Sequence, residues 1–187
     1  MNFEPITKWC HHFIQNHVLP GDICIDATAG NGHDTVFLCH LVGSQGKVYA
    51  FDVQQQAIDR TRARLQEKQV HCFYELILDS HAHMDQYISS NTVSCIAFNF
   101  GYLPGGDHSI CTRADSSLEA IKKGLLLLKQ EGLMTLCIYR GKDTGFGEQN
   151  ALLHYLKNLD SKKYFVVLSQ YYNRPNHPPI LALIRKL

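Results

Sequence analysis

The feature that most constrains this chain is the run Ile25-Asp26-Ala27-Thr28-Ala29-Gly30-Asn31-Gly32-His33-Asp34, in which a short apolar strand turns through glycines into a helix. Glycines at such a turn let the backbone approach a ligand and aim the first helical N–H groups at it. The strand, Asp22 to Ala27, is nearly continuously apolar, as suits a strand covered on both faces, and Val36, Phe37 and Leu41 share one side of the helix from His33 to Leu41. A second strand, Lys47 to Phe51, ends at Asp52, twenty residues beyond Gly32. From that place a carboxylate can accept hydrogen bonds from both ribose hydroxyls of an adenosine.

The alternation continues along the chain. An N-terminal amphipathic helix is predicted over Ile6 to Val18, with Trp9, Phe13, Ile14 and Val18 at helical spacing and Pro20-Gly21 ending the run. Helices over Gln55 to Lys68, Met84 to Ile88, Thr112 to Lys129 and Gly147 to Leu159 separate or follow strands at Val70 to Tyr74, Val93 to Phe98 and Leu133 to Tyr139. Strands Tyr164 to Tyr172 and Ile180 to Arg185 close the chain through the proline-rich turn Arg174 to Pro179. This order implies an α/β, Rossmann-like, mostly parallel sheet with helices on both faces and ligands outside the carboxyl ends of its strands. The last two strands have no helix between them, so one of them must run antiparallel.

Composition narrows the class. With 187 residues, 45% hydrophobic and 19% charged, residues 1–187 are expected to form a single folded domain, and a disordered chain is excluded. Eighteen Lys+Arg against seventeen Asp+Glu weaken any broad electrostatic attachment to nucleic acid but allow a local basic patch. No apolar run approaches the ~20 residues that span a bilayer, and Met1 to Pro5 lacks the basic start of a secretion signal, so no membrane attachment and a cytoplasmic location are expected. Seven scattered Cys without a C-x-x-C pair read as small buried hydrophobes. His81 and His83 form an H-x-H pair with no Cys or carboxylate cluster of metal spacing beside it, so no metal is expected.

The loop discriminates between two cofactors. A dinucleotide pyrophosphate would meet the negative charge of Asp26, and the third glycine of G-x-G-x-x-G is missing, since Thr35 follows Asp34. Asp26 could instead pair with the amino group of a methionine moiety, which favours S-adenosylmethionine. Together with Asp79-Ser80-His81 and Asn99-Phe100-Gly101-Tyr102-Leu103-Pro104-Gly105-Gly106-Asp107, the loop resembles class I S-adenosylmethionine-dependent methyltransferases across nearly the whole chain. Within that class it is most similar to a small bacterial family labelled rRNA methylases, members of which methylate the 5-aminomethyl group of the tRNA wobble uridine.

The resemblance implies a seven-stranded sheet with the last strand antiparallel, and a cofactor held by Asp26, Thr28, Gly30, Asn31, Gly32, Asp34, Thr35, Asp52, Gln54, Asp79, Ser80 and His81. Asp79 would accept from the adenine amine; Asp79 and Ser80 are also good helix N-caps, and the two roles can coexist. Thr28 stands where many members carry the first loop glycine, and Tyr139 to Glu148 is a divergent form of the family's glycine-rich segment.

Asn99 ends the fourth strand where amino-directed methyltransferases of this architecture place an Asn or Asp, two prolines and an aromatic residue, although both prolines are absent here. Its side-chain oxygen can accept from an amine and orient the lone pair while Phe100 or Tyr102 stacks on a base; a plain strand-end turn made by Gly101 and Pro104 is the structural alternative. Asn99 is thus the expected catalytic residue, with Phe100, Gly101, Tyr102 and Arg174 on the substrate. Asp26, His33, His81 and Asp107 are candidate bases by location only. The Tyr171 to His177 turn and the Leu103 to Arg113 loop combine aromatic, amide and basic groups suited to an unstacked base, whereas Arg60, Arg62, Arg64, Lys122 and Lys123 fall on helix faces that are ordinarily just solvated. The expected partner is tRNA at its anticodon region, with a homodimer compatible. A small-molecule or rRNA methyltransferase, or a noncatalytic nucleotide- or RNA-binding module, is the alternative.

Overall fold

The computed structural model describes residues 4–101, 114–139, 145–175 and 178–187. The elements run α1 (Ile6–Gln15), β1 (Ile23–Asp26), α2 (His33–Val42), β2 (Lys47–Asp52), α3 (Gln55–Glu67), β3 (Phe73–Leu78), β4 (Val93–Phe100), α4 (Ala114–Leu127), β5 (Leu128–Ile138), α5 (Gly145–Lys157), β6 (Tyr164–Ser169) and β7 (Ile180–Lys186). They build one seven-stranded sheet in the order β3-β2-β1-β4-β5-β7-β6. The pairs from β3 through β5 are parallel, and β7 lies antiparallel to both β5 and β6. The hairpin argument and the expected topology therefore hold.

Strand alternation sorts the core into two layers. Cys24, Val48, Cys95, Ala97 and Cys137 face α1, α2 and α3, packing on Ile14, Leu38 and Leu65. Ile25, Phe51, Ile96, Phe98 and Phe100 face the other side, against Ile121 and Leu125 of α4 and Leu152 and Leu156 of α5. By the same period of two, Asp26 and Asn99 stand on the α1–α2 side, whereas Phe98 and Phe100 point away from it. The six described cysteines, at 10, 24, 39, 72, 95 and 137, are all buried and free.

Several expected boundaries move. The third strand begins at Phe73, because Val70 folds back on α3 with its N–H donating to the Leu65 carbonyl, and β3 is an edge strand that leaves Phe73 and Tyr74 exposed. The helix expected at Met84 to Ile88 is a 3₁₀ turn, His81–Gln86, whose Ser80 Oγ accepts from the Ala82 N–H. In α1 the buried stripe is Ile6, Cys10 and Ile14, while Trp9 is 43% exposed, so the helix is rotated from its expected face. Among the described residues no helix is long and apolar enough to cross a membrane.

The chain doubles back after β3, and β4 inserts on the other side of β1. That switch point opens a crevice at the carboxyl ends of β1 and β4, the usual ligand position in such sheets. The loop at its lip turns through left-handed residues, Gly30 at φ 54° and Gly32 at φ 77°. A Cβ on Gly32 would lie 2.8 Å from the Thr61 Cα. Gly32→Ala is expected to destabilise the protein by about 2 kcal/mol or more, since it adds left-handed strain to a clash with backbone. Urea unfolding midpoints check this, and a midpoint equal to that of the parent would refute it.

Candidate active site

The site is assembled from the ends of β1, β2 and β4 and from the loop Ala27 to Gly32. Asp26 is fully buried, with Oδ2 accepting from the Thr35 hydroxyl at 2.6 Å and Oδ1 from the Thr28 N–H at 3.2 Å. These bonds curl the loop over its own strand. Thr28 uses its hydroxyl to accept the Asn99 N–H at 2.8 Å, tying the loop to β4. A glycine there could not make that bond, which is a physical reason for the departure seen in the sequence.

Asp52 holds the far side of the loop. Its Oδ2 accepts from the Gly30 N–H at 3.0 Å and its Oδ1 from the Gln54 N–H at 2.9 Å, where Gln54 is the N-cap of α3. A carboxylate offers about four lone-pair positions, so two stay available for hydroxyl donors. Asn31 is pinned by α3, its Oδ1 accepting from Arg60 at 3.1 Å and its carbonyl from Arg64 at 2.7 Å. Arg62 pairs with Asp59. The arginines of α3 thus serve the loop and their own helix.

Asp79 follows β3 and is already engaged. His83 Nδ1 at 2.8 Å and the Ser80 N–H at 2.7 Å share Oδ1, and the Tyr87 hydroxyl at 2.9 Å donates to Oδ2. His83 holds the Asp79 carboxyl below its usual range. His81 turns the other way: its Nδ1 lies 3.0 Å from the Ala27 carbonyl, and burial lowers its pKa, which keeps the ring neutral with Nδ1–H donating. The two rings of the H-x-H pair therefore diverge, and among the described residues no three His, Cys, Asp or Glu side chains gather as metal ligands.

Asn99 shares Asp34 with a residue the sequence did not single out. Asn99 Nδ2 donates to Asp34 Oδ2 at 2.6 Å, and His11 Nε2 meets Asp34 Oδ1 at 2.7 Å. Asn99 Oδ1 is buried without a hydrogen-bond partner among the described residues. Such an atom costs about 1–3 kcal/mol unless something fills it, so it marks a position prepared for a donor.

Phe100 requires a correction. It is fully buried, stacked on Phe98 with ring centroids 5.0 Å apart, and belongs to the core rather than standing open to a base. Gly101 lies at the strand end, 3.8 Å from Tyr139 at its nearest approach for an added Cβ. Tyr102, the Leu103 to Arg113 loop, residues 140–144 and His177 lie outside the described residues. Arg174 borders a cleft of about 350 Å³ with Gln149, Tyr171, Tyr172 and Ile180. A second cleft of about 430 Å³ follows α1 past Lys8, Trp9, His11, His12 and Phe37.

The electrostatics favour a cationic ligand. Burial, then the charges of Asp34 and Asp52, raise the Asp26 carboxyl to about 7 against the bonds from Thr35 and Thr28. Three acidic side chains gather around one loop, and a cation that binds there favours the ionised form of Asp26, whereas a pyrophosphate would oppose it; this suits the ammonium and sulfonium of S-adenosylmethionine. The loop glycines, the open lone pairs of Asp52 and buried Asp26 fit that cofactor, and the fold with its switch-point site is that of a class I S-adenosylmethionine-dependent methyltransferase.

Comparison with known proteins narrows the class. The profile of a family described as putative rRNA methylase matches residues 48–185. The chain is 33% identical over 190 residues to a chloroplastic tRNA (mnm5s2U34)-methyltransferase of Arabidopsis thaliana, covering 96% of this chain and 69% of that protein. A putative rRNA-methylase from Clostridium thermocellum superposes with a TM-score of 0.95 at 42% identity, covering all of both chains. A putative methyltransferase from Streptococcus mutans, solved in complex with SAH, superposes with a TM-score of 0.88 at 39% identity, again over all of both chains. The chain belongs to the putative rRNA methylase family, and S-adenosylmethionine is its cofactor.

A raised carboxyl makes a signed pH statement. Asp26 passes from its ordinary 3.8 when unfolded to about 7 when folded, so the folded, ligand-free protein holds the extra proton between those values. Its stabilising contribution is complete below about pH 4 and is lost as pH rises through about 7. Relative to the parent, Asp26→Asn is expected to gain stability that grows with pH, from about 1 kcal/mol near pH 4.5 to roughly 4 kcal/mol near pH 8. Unfolding curves of both proteins across that range measure it, and parallel pH profiles would show that Asp26 is ionised throughout.

Proposed function

We propose that this protein transfers a methyl group to the 5-aminomethyl group of 2-thiouridine at the tRNA wobble position, giving 5-methylaminomethyl-2-thiouridine. Residues 1–187 act as a single domain in the cytoplasm, and the anticodon region of tRNA is the partner. The observation that supports the reading is Asn99 Oδ1, a buried acceptor with no partner among the described residues, at the end of β4 and opposite the cofactor loop at the switch point. An amine supplies the donor that this oxygen lacks, and the name of the Arabidopsis relative specifies that chemistry for a similar chain.

S-adenosylmethionine supplies an electrophilic methyl on its sulfonium. Asp52 receives the ribose hydroxyls, Asp26 faces the ammonium side through the loop, and Asp79 and His81 border the adenine side. Thr28, Gly30, Asn31, Gly32 and Thr35 shape the loop between them. Asn99 Oδ1 accepts one N–H of the neutral acceptor amine and so turns the nitrogen lone pair along the line of attack. Positioning of this kind supplies most of the acceleration, because a neutral amine is already a competent nucleophile. The proton released on methylation leaves to solvent. The clefts along α1 and beside Arg174 combine aromatic, amide and basic side chains suited to bases pulled out of a stack.

The test is labelled methyl transfer to tRNA carrying the aminomethyl group, run beside total rRNA and unmodified tRNA. The expected outcome is labelling of the first alone, and labelling of rRNA alone would transfer the reading to ribosomal substrates. Asn99→Ala is expected to slow that transfer about 10–100-fold with S-adenosylmethionine affinity nearly unchanged. An affinity that falls with the rate, or a rate that does not fall, would remove Asn99 from the acceptor site.

A further inference from the structure

The chain His11–Asp34–Asn99 joins the first helix to the end of β4 in two short contacts, 2.7 Å and 2.6 Å. An ionised carboxylate only accepts, so it fixes which end of each partner faces it. Toward Asp34, Asn99 must present its NH2, and the amide oxygen must then point the opposite way. His11 must likewise present Nε2–H. If Asp34 took up a proton it would become a donor, and the Asn99 amide could turn over, offering NH2 where an amine needs an acceptor.

Asp34 is 8% exposed, and the partners of its two oxygens are His11 on Oδ1 and Asn99 on Oδ2. The His11 ring lies flat on Phe37, centroids 3.8 Å apart and planes within 9°. The helix carrying it is held by three contacts: the buried stripe Ile6, Cys10 and Ile14, the Cys10 thiol donating to Thr135 Oγ1 at 3.1 Å, and the Tyr171 hydroxyl donating to the Glu4 carbonyl. The stack on Phe37 and the anchoring of α1 thus hold the half-buried ring beside Asp34.

We propose that His11 is a positioning residue for methyl transfer, which through Asp34 holds the Asn99 amide with its nitrogen turned inward and its oxygen toward the acceptor amine. The proposal rests on the reading that Asn99 meets that amine. His11 touches neither the acceptor nor the reacting methyl; its work is done through the carboxylate. The geometry also explains why α1 is part of the catalytic unit although it precedes the cofactor loop in the chain.

The experiment compares His11→Phe, which keeps a ring on Phe37 but removes the donor, with His11→Gln, which keeps a donor. Each is made in the parent and in the Asn99→Ala background. Single-turnover methyl transfer to aminomethyl tRNA and S-adenosylmethionine affinity are measured for each. His11→Phe is expected to slow transfer about tenfold with affinity within about twofold of the parent, and His11→Gln to recover most of that loss. In the Asn99→Ala background the His11→Phe effect should vanish, because the amide it orients is gone; a merely structural role would persist there. Equal losses in both His11 variants, a loss that persists without Asn99, or a parental rate in His11→Phe overturns the proposal while leaving Asn99 in place. An Asn99→Ala protein with the parental rate overturns both the acceptor reading and this inference.

Discussion

The parallel pairing of β1 with β4 is the constraint on which the rest depends. Register sets Asp26 beside Ala97, so Asn99 extends two residues past the end of β1, over the mouth of the cofactor loop. Because side chains alternate along a strand, the same pairing places Asp26 and Asn99 on the face covered by α1 and α2 and sends Phe98 and Phe100 into the opposite layer. A one-residue slip would exchange these sets, burying the amide among aromatic rings and exposing two phenylalanines to the crevice.

Charge then does what register prepares. Asp26, Asp34 and Asp52 surround one short loop, and each is held by a different device: the Thr35 hydroxyl, the His11 and Asn99 pair, and the backbone N–H groups of Gly30 and Gln54. Hydrogen bonds to ionised groups are the stronger kind, but they only partly offset burial, as the raised Asp26 carboxyl records. A site built this way selects a cation. It separates a sulfonium cofactor from a dinucleotide before any shape complementarity is considered.

The loop geometry at the end of β1 was legible in the sequence because it is local: strand, glycine turn and helix fall within a dozen residues, and Asp52 ends the very next strand. Asn99 was legible as a strand end. His11 was not, since a single histidine on an amphipathic helix carries no signal until tertiary packing brings α1 beside α2. Counting Cys10 as apolar would have set the stripe as Ile6, Cys10 and Ile14 and moved Trp9 outward, which is where the structure has them. Phe100 was misassigned because neighbours on a strand point to opposite faces, so it enters the core while Asn99 lies on the other side of the sheet. At Asp79 the carboxylate partners His83 and Tyr87 lie within the following turn, but hydrogen-bond geometry rather than spacing decides that both of its oxygens are engaged.

The proposed contact of Asn99 Oδ1 with the acceptor amine is open to direct view in a crystal structure of the protein with S-adenosylhomocysteine and an anticodon stem-loop carrying the aminomethyl group. The expected result is the amine nitrogen within about 3.2 Å of Asn99 Oδ1, with the sulfur on its far side in line. A nitrogen seated elsewhere, with Asn99 Oδ1 bonded to backbone or water instead, would contradict it.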